Sequence, residues 1–211
     1  MRTSPASRPA RNDAGYAHCG RAWLRNLPSV TLLDQRVVVF ITGISAAGKS
    51  TVSDLLARRF ERGVHVKGDV FRRMVVSGRE DMTVSPSPAA LRQLSLRYRL
   101  GASTADAYFQ QGFSVVVQDV VLGPDLVSYA KSIRSRPLAV VVLAPRPEVV
   151  KQREAARDKV AYRDGHHTID QLCAVLRHET PRVGLWLDTS KQTPEETVDE
   201  IIERGLVDGR F

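Results

Sequence analysis

Besides a short β-prone run at 64–67, four apolar runs that lack polar alternation punctuate the chain at 36–42, 113–117, 138–143 and 184–187. Such a run suits a strand buried on both faces, because no residue is set aside for water. Over 50–62, 70–76, 91–111, 125–135, 147–157 and 168–179, apolar residues instead recur at helical spacing. A last helix is expected to begin at Thr193-Pro194-Glu195-Glu196, where a capping hydroxyl, a proline in the first turn and two acids all complement a helix N-terminus. The stretch 77–89 reads as a turn-rich connector and Gly112 as the stop of the long helix before it. Strand and helix alternate, which predicts an α/β domain with a parallel sheet covered on both faces.

The first loop of that pattern carries chemistry. Gly43-Ile44-Ser45-Ala46-Ala47-Gly48-Lys49-Ser50-Thr51 fills every position of G-x-x-x-x-G-K-[ST], and it joins the first strand to the first helix. Glycines there let successive N–H groups turn inward around an anion while the helix presents its positive end to the same point. Gly43, Ser45, Ala46, Ala47, Gly48 and Thr51 are therefore assigned to a phosphate cradle. Lys49 is assigned to the β/γ-phosphates, and Ser50 to Mg²⁺. A nucleoside triphosphate, ATP, is the expected ligand.

In a parallel sheet with right-handed crossovers, strand C-terminal ends share one edge, and ligands bind there. Three carboxylates fall at such ends: Asp69, Asp119 and Asp188. Asp119, after Val115-Val116-Val117-Gln118, has the place of an acid that holds Mg²⁺ or its water, or touches substrate; a turn-capping role is the alternative. Gln118 is placed to orient a substrate group. Asp69 reads either as an N-cap or as the carboxylate beside an accepting hydroxyl. With a carboxylate pKa of about 3.9 against about 15.7 for water as a proxy for an alcohol, it would orient the hydroxyl and accept its proton late. Arg72, Arg73, Arg153, Arg157 and Arg163 are the cations for phosphates or an anionic substrate; Arg153 and Arg157, four apart, share a helix face. No Asn-Lys-x-Asp guanine reader is present, and Val120 rather than Glu follows Asp119, which weighs against a GTPase and a remodelling ATPase.

Composition adjusts this picture in three ways. The length of 211 residues with 43% hydrophobic content supports one well-buried domain, expected over 34–211. Residues 1–33 read as a basic extension, flexible or partly packed, and hold five arginines against Asp13. They account for half of the formal charge of +8, so that charge is weak support for a nucleic-acid partner; aromatics are few and not interleaved with basic residues. The two cysteines, Cys19 and Cys173, have no disulfide or zinc spacing. No apolar run reaches the roughly 18 residues of a membrane span, and a cytoplasmic enzyme is expected. Without a heptad stripe or interface patch, a homo-oligomer stays open.

With these residues in place, the chain resembles the small P-loop kinases, in particular the chloramphenicol phosphotransferase-like group. The similarity runs over about 36–205: the loop G-I-S-A-A-G-K-S, Gly68-Asp69, V-V-V-Q-D-V-V-L-G ending at Gly123, R-E-A-A-R-D within a lid at about 146–166, His178-Glu179 and Leu187-Asp188-Thr189. The resemblance implies a three-layer P-loop kinase fold with a five-stranded parallel sheet and a short helical lid, ATP as donor, and a hydroxyl on a small molecule, including an antibiotic, as acceptor. It further implies Asp69, Lys49 and Arg157 as catalytic groups and Arg153 and Arg157 at the phosphates. Gly68-Asp69-x-x-Arg72 is more similar to adenylylsulfate kinases, where such an arginine holds an anionic nucleotide substrate. An adenylylsulfate or nucleotide kinase, or a polynucleotide kinase, is the alternative.

Overall fold

In a computed structural model that describes residues 31–156, 162 and 167–211, the apolar runs form one parallel sheet. Its strands are β1 (Val38–Thr42), β2 (Gly63–Lys67), β3 (Ser114–Gln118), β4 (Leu138–Leu143) and β5 (Leu185–Leu187), in spatial order β2-β3-β1-β4-β5. Every residue of β1, β3 and β4 is buried, as runs without polar alternation require. The edge strands β2 and β5 are partly exposed. The expected α/β class, five-stranded sheet and flanking helices are present.

The helices are α1 (Lys49–Arg59), α2 (Gly68–Arg73), α3 (Pro88–Gln110), α4 (Asp125–Ser132), α5 (Pro147–Ala155), α6 (Ile169–Ala174) and α7 (Pro194–Arg204). Contacts pair α1 with α7 and α3 with α4. Right-handed crossovers place the first pair on one face of the sheet and the second on the other. From β1 the chain crosses first toward β2 and β3 and later toward β4 and β5. The crevice where those directions part lies at the end of β1, so the glycine-rich loop emerges at the topological switch point.

Several boundaries differ from the sequence pattern for local reasons. Helix α3 begins inside the expected connector because Ser87 Oγ accepts from the Ala90 N–H at 3.0 Å and Pro88 takes the first helical position. The single helix expected over 168–179 is α6 followed by a π turn, Val175–Glu179. There Thr180 Oγ1 donates to the Val175 carbonyl at 3.0 Å and accepts from the Gly123 N–H at 2.8 Å, drawing the turn open. Helix α4 stops at Ser132, three residues early, and Asp106 accepts from the N–H groups of Arg134 and Ser135 beyond it.

Thr31–Phe211 makes up one compact unit. It starts ahead of the expected residue 34 because Leu32 is fully buried in a 3₁₀ turn, Leu32–Asp34, that packs on α7. Residues 1–30 of the expected extension lie outside the described residues. At the other end, Val140 N–H donates to the Gly209 carbonyl at 2.7 Å and Phe211 N–H to the Leu138 carbonyl at 3.0 Å, forming an antiparallel bridge between Ala139 and Arg210. Strand β5 pairs only with Val141–Leu143, so this tail covers the part of β4 that β5 leaves open. Among the described residues no helix is long and apolar enough to cross a membrane.

Candidate active site

The loop between β1 and α1 has the backbone an anion cradle needs. Gly43, Ala46 and Gly48 have φ of 148°, 62° and 97°, so left-handed residues alternate with ordinary ones and turn N–H groups toward a common centre. A Cβ on Gly43 would meet the Leu143 carbonyl and the Ala47 methyl. Ala46 tolerates a conformation that disfavours L-residues by about 1–2 kcal/mol, a strain consistent with a site held for a ligand. Ala47 and Lys49 are buried, Ser45 and Gly48 half-buried, and Ser50 and Thr51 exposed at the start of α1. Lys49 Nζ donates to the Ile44 carbonyl at 2.8 Å, folding back over the loop. The strand end is pinned by Thr42 Oγ1, which donates to the Val121 carbonyl at 2.8 Å and accepts from the Val121 N–H at 3.0 Å.

Sheet register brings the carboxylates alongside. Lys67 of β2 pairs with Gln118 of β3, and Gln118 with Ile41 of β1, so the residues following each strand meet on one edge. Gln118 Nε2 donates to Ser50 Oγ at 3.4 Å, linking β3 to the first turn of α1. Asp119 is buried, with 2% of its side chain exposed, and both its oxygens are engaged. Arg97 on α3 forks onto it through Nε, at 2.7 Å from Oδ2, and through Nη2 on Oδ1; Val120 N–H also donates to Oδ1, at 2.7 Å. Gly68 lies directly against this carboxylate, and a Cβ there would overlap it. Burial lowers the pKa of Arg97 from its ordinary value, yet the starting point is so high that the guanidinium stays charged.

Asp69, at 42% exposure, is more open. Arg73 Nη2 lies 3.0 Å from its Oδ2 and Arg72 Nε donates to its Oδ1 at 3.4 Å, while Arg72 also pairs with Asp81. Asp69 and Arg72 of the sequence-based set thus come together. Between α2, the connector after it and α3 lies a small cleft of about 40 Å³, with apolar walls that include Phe71, Met82 and Leu94 and with Arg72 and Arg97 among its lining. Nearby, Met74 is exposed, Tyr98 packs on the core with its hydroxyl donating to the Val120 carbonyl at 3.0 Å, and Tyr108 lines a separate groove beside β2.

On the opposite side of the loop, Arg153 of α5 donates from Nη1 to the Ala47 carbonyl at 3.3 Å and from Nη2 to the Thr189 carbonyl at 2.8 Å. The expected lid arginine is therefore in contact with the phosphate loop, steadied by the segment after β5. Arg157 and Arg163 lie outside the described residues, as do the lid residues 158–161 and 164–166. Tyr162, which is described, donates from its hydroxyl to the Ser45 carbonyl at 3.0 Å. Asp188 is turned into its own loop: Ser190 donates to Oδ1 through N–H and hydroxyl and holds the carboxyl below its ordinary pKa. Among the described residues no group of three or more His, Cys, Asp and Glu side chains converges as a metal site.

Two residues were missed by the sequence-based set. Arg97 is one of three arginines in R-x-x-x-x-R-x-R on α3, Arg92, Arg97 and Arg99, and only the packing of α3 singles it out. Tyr162 stands in a polar stretch without periodicity, and its contact with the loop had no local signal.

A family model described as an AAA domain matches residues 38–178. No curated protein sequence matches the chain. Among solved structures, an unliganded sugar kinase from Janibacter sp. HTCC2649 has a TM-score of 0.59 at 21% identity, with 82% of this chain and 95% of that chain covered. The APS kinase CysC of Mycobacterium tuberculosis, in complex with AMPPNP and APS, has a TM-score of 0.60 at 18% identity, with coverages of 80% and 96%. These likenesses are of fold, and they establish a P-loop kinase-like architecture.

Proposed function

The chain belongs to the AAA domain family, and on that premise we propose that it is an ATP-dependent kinase that moves the γ-phosphoryl group to a hydroxyl of a small molecule. The observation that carries the reading is the junction at the ends of β1, β3 and β2, where the anion cradle, Asp119 and Asp69 stand side by side and a cleft opens among α2 and α3. A triphosphate in the cradle would face an acceptor in the cleft.

The residues have separable tasks. Loop N–H groups and Lys49 bind the β- and γ-phosphates, Arg153 brings positive charge over the loop, and Arg157 is the second arginine assigned to the phosphates. Asp69 orients the hydroxyl and takes its proton late, because phosphoryl transfer passes through a loose transition state in which the new bond forms slowly. Mg²⁺, when bound, would supply charge neutralisation between the β- and γ-phosphates. Ser50 and Asp119 are the residues to hold it: the Ser50 hydroxyl is open to it, while Asp119 fits only if Arg97 gives way. Arg72 in the cleft favours an acceptor of the adenylylsulfate or nucleotide type over an uncharged antibiotic, and the likeness to APS kinase supports the same direction.

The test is a mass-spectrometric screen for a gain of one phosphoryl group across hydroxyl-bearing metabolites, nucleotides and antibiotics with ATP. Lys49→Ala should abolish transfer. Asp69→Asn should retain ATP affinity and lower turnover by about 10²–10⁴; full turnover in that variant would remove Asp69 from the chemistry.

A further inference from the structure

At one border of the sheet the C-terminal tail covers what β5 leaves open; the other border, β2, is bare. Strand β2 pairs only with β3, and the Arg62 carbonyl accepts from the Ser114 N–H at 2.8 Å. In a parallel ladder alternate residues turn their backbone groups to the same neighbour, so Val64 and Val66 also face β3 while Gly63, His65 and Lys67 face outward. Among the described residues nothing bonds to the outward N–H groups or to the Gly63 and His65 carbonyls. Beside this edge runs a groove of about 240 Å³, walled by Val64, Val66, Val70, Thr104 and Tyr108. On α3, Leu96, Leu100, Thr104 and Tyr108 lie four apart and form a stripe about 18 Å long, close to the roughly 17 Å of β2 itself. The two leucines and the tyrosine are exposed, as are Val70 and Met74 on α2.

We infer that the occupant of this edge is a second copy of the chain: β2 pairs antiparallel with the β2 of its partner about a two-fold axis, and the two sheets become one of ten strands. Centred on His65, the pairing uses all three outward residues of each strand. Charge selects the same arrangement. A lysine on a strand edge ordinarily deters pairing, but Lys67 stands at one end of β2 and Glu61 just beyond the other. Both are exposed, and neither has an ion-pair partner among the described residues. Antiparallel pairing sets Lys67 beside the partner's Glu61, twice by symmetry, whereas parallel pairing would set like charge beside like. A stable dimer buries roughly 800 Å² on each partner, more than one strand edge supplies. The axis stands perpendicular to the sheet, so the α3 helices of both copies lie on one face, and their apolar stripes extend the contact. Helix α2 starts directly after Lys67, so the pairing would also steady the turn that carries Asp69. This surface stands apart from phosphoryl transfer and does not depend on it.

Sedimentation velocity on a dilution series reaching on the order of 100 µM should show a dimer. Glu61→Lys and Lys67→Glu each set like charges across the axis twice, and each should raise the dimer dissociation constant about tenfold. Mixed in equal amounts, the two variants should associate as tightly as the wild type, because the heterodimer restores opposite charges at both ends. No effect within one chain can do this. His65→Pro removes an outward N–H while leaving the β3 ladder intact, and should abolish the dimer; a thermal melt checks its folding, and the charge variants carry the test if it unfolds. A dimer whose affinity neither charge variant changes, or a mixture no tighter than its components, puts the interface elsewhere and overturns the pairing. A monomer at every concentration overturns it as well, and leaves the edge to a strand from another protein.

Discussion

Replacing Gly68 by alanine sets two effects of opposite sign against each other. Alanine is the better helix former, and in a helix interior the gain over glycine is about 0.5–1 kcal/mol; at the first residue of α2 it is at most that. Against it stands the new methyl, which would overlap the Asp119 carboxylate. In an open site that side chain would swing away. Here it is held at both oxygens by Arg97 and by Val120 N–H, and its own Cβ is among the atoms approached. Overpacking of this kind destabilises by about 1–3 kcal/mol, and tearing the ion pair instead would cost more. The expected net loss is about 1–2 kcal/mol, or roughly 2–8 °C in the thermal midpoint for a domain of this size. The assay is thermal unfolding by circular dichroism, with a second measurement in the Asp119→Ala background, where the two closest approaches, to the carboxylate, are gone and only the one to Cβ at 3.0 Å remains, so that the loss from Gly68→Ala should shrink. A midpoint equal to or above wild type in the parent background would refute the account, for it would mean that Asp119 is free to move.

Ala46→Gly removes the penalty of a positive φ and adds backbone freedom to the unfolded chain; the difference should stabilise by up to about 1 kcal/mol, measurable by urea unfolding, and a destabilised variant would argue against strain in the loop. His65 faces Asp54 across 3.6 Å from β2, and burial, helped by Lys67 and opposed by Asp54, pushes its pKa down to about 4. The folded state therefore disfavours the proton, so stability present above the unfolded value of about 6.5 is lost as pH falls toward 4. At full weight the shift is about 3 kcal/mol, and nearer 1.5 kcal/mol once partial solvation is allowed for. His65→Val should flatten the stability profile over that window, and an unchanged slope would dismiss the imidazole as its source.

The strands were legible because a buried parallel strand spends nearly all its positions on apolar residues, with polar Thr42, Ser114 and Gln118 only at strand ends, so 38–42, 114–118 and 138–143 stand out without any tertiary knowledge. The phosphate loop was legible for a related reason: its function is carried by consecutive backbone groups, and the residues that permit the backbone are adjacent in sequence. Arg97 had no such signal. Its role comes from a helix returning across the sheet to set one of three arginines over a strand end 22 residues away. The π turn after α6 likewise depends on Thr180 meeting Gly123, 57 residues distant. The helical period of 168–179 was real, but a side-chain hydroxyl altered the winding.

The C-terminal tail seals a gap in the sheet. Because β5 is only three residues long, the first half of β4 would otherwise present bare carbonyls and N–H groups beside fully apolar side chains, an invitation to strand pairing with another molecule. Gly209 to Phe211 satisfies that stretch, and Gly209 itself approaches the Val140 carbonyl so closely that a Cβ would crowd it. Trimming these few residues would therefore act less like shortening a loose end than like unzipping a border, with self-association as the consequence to watch. A tag fused after Phe211 would leave the border closed.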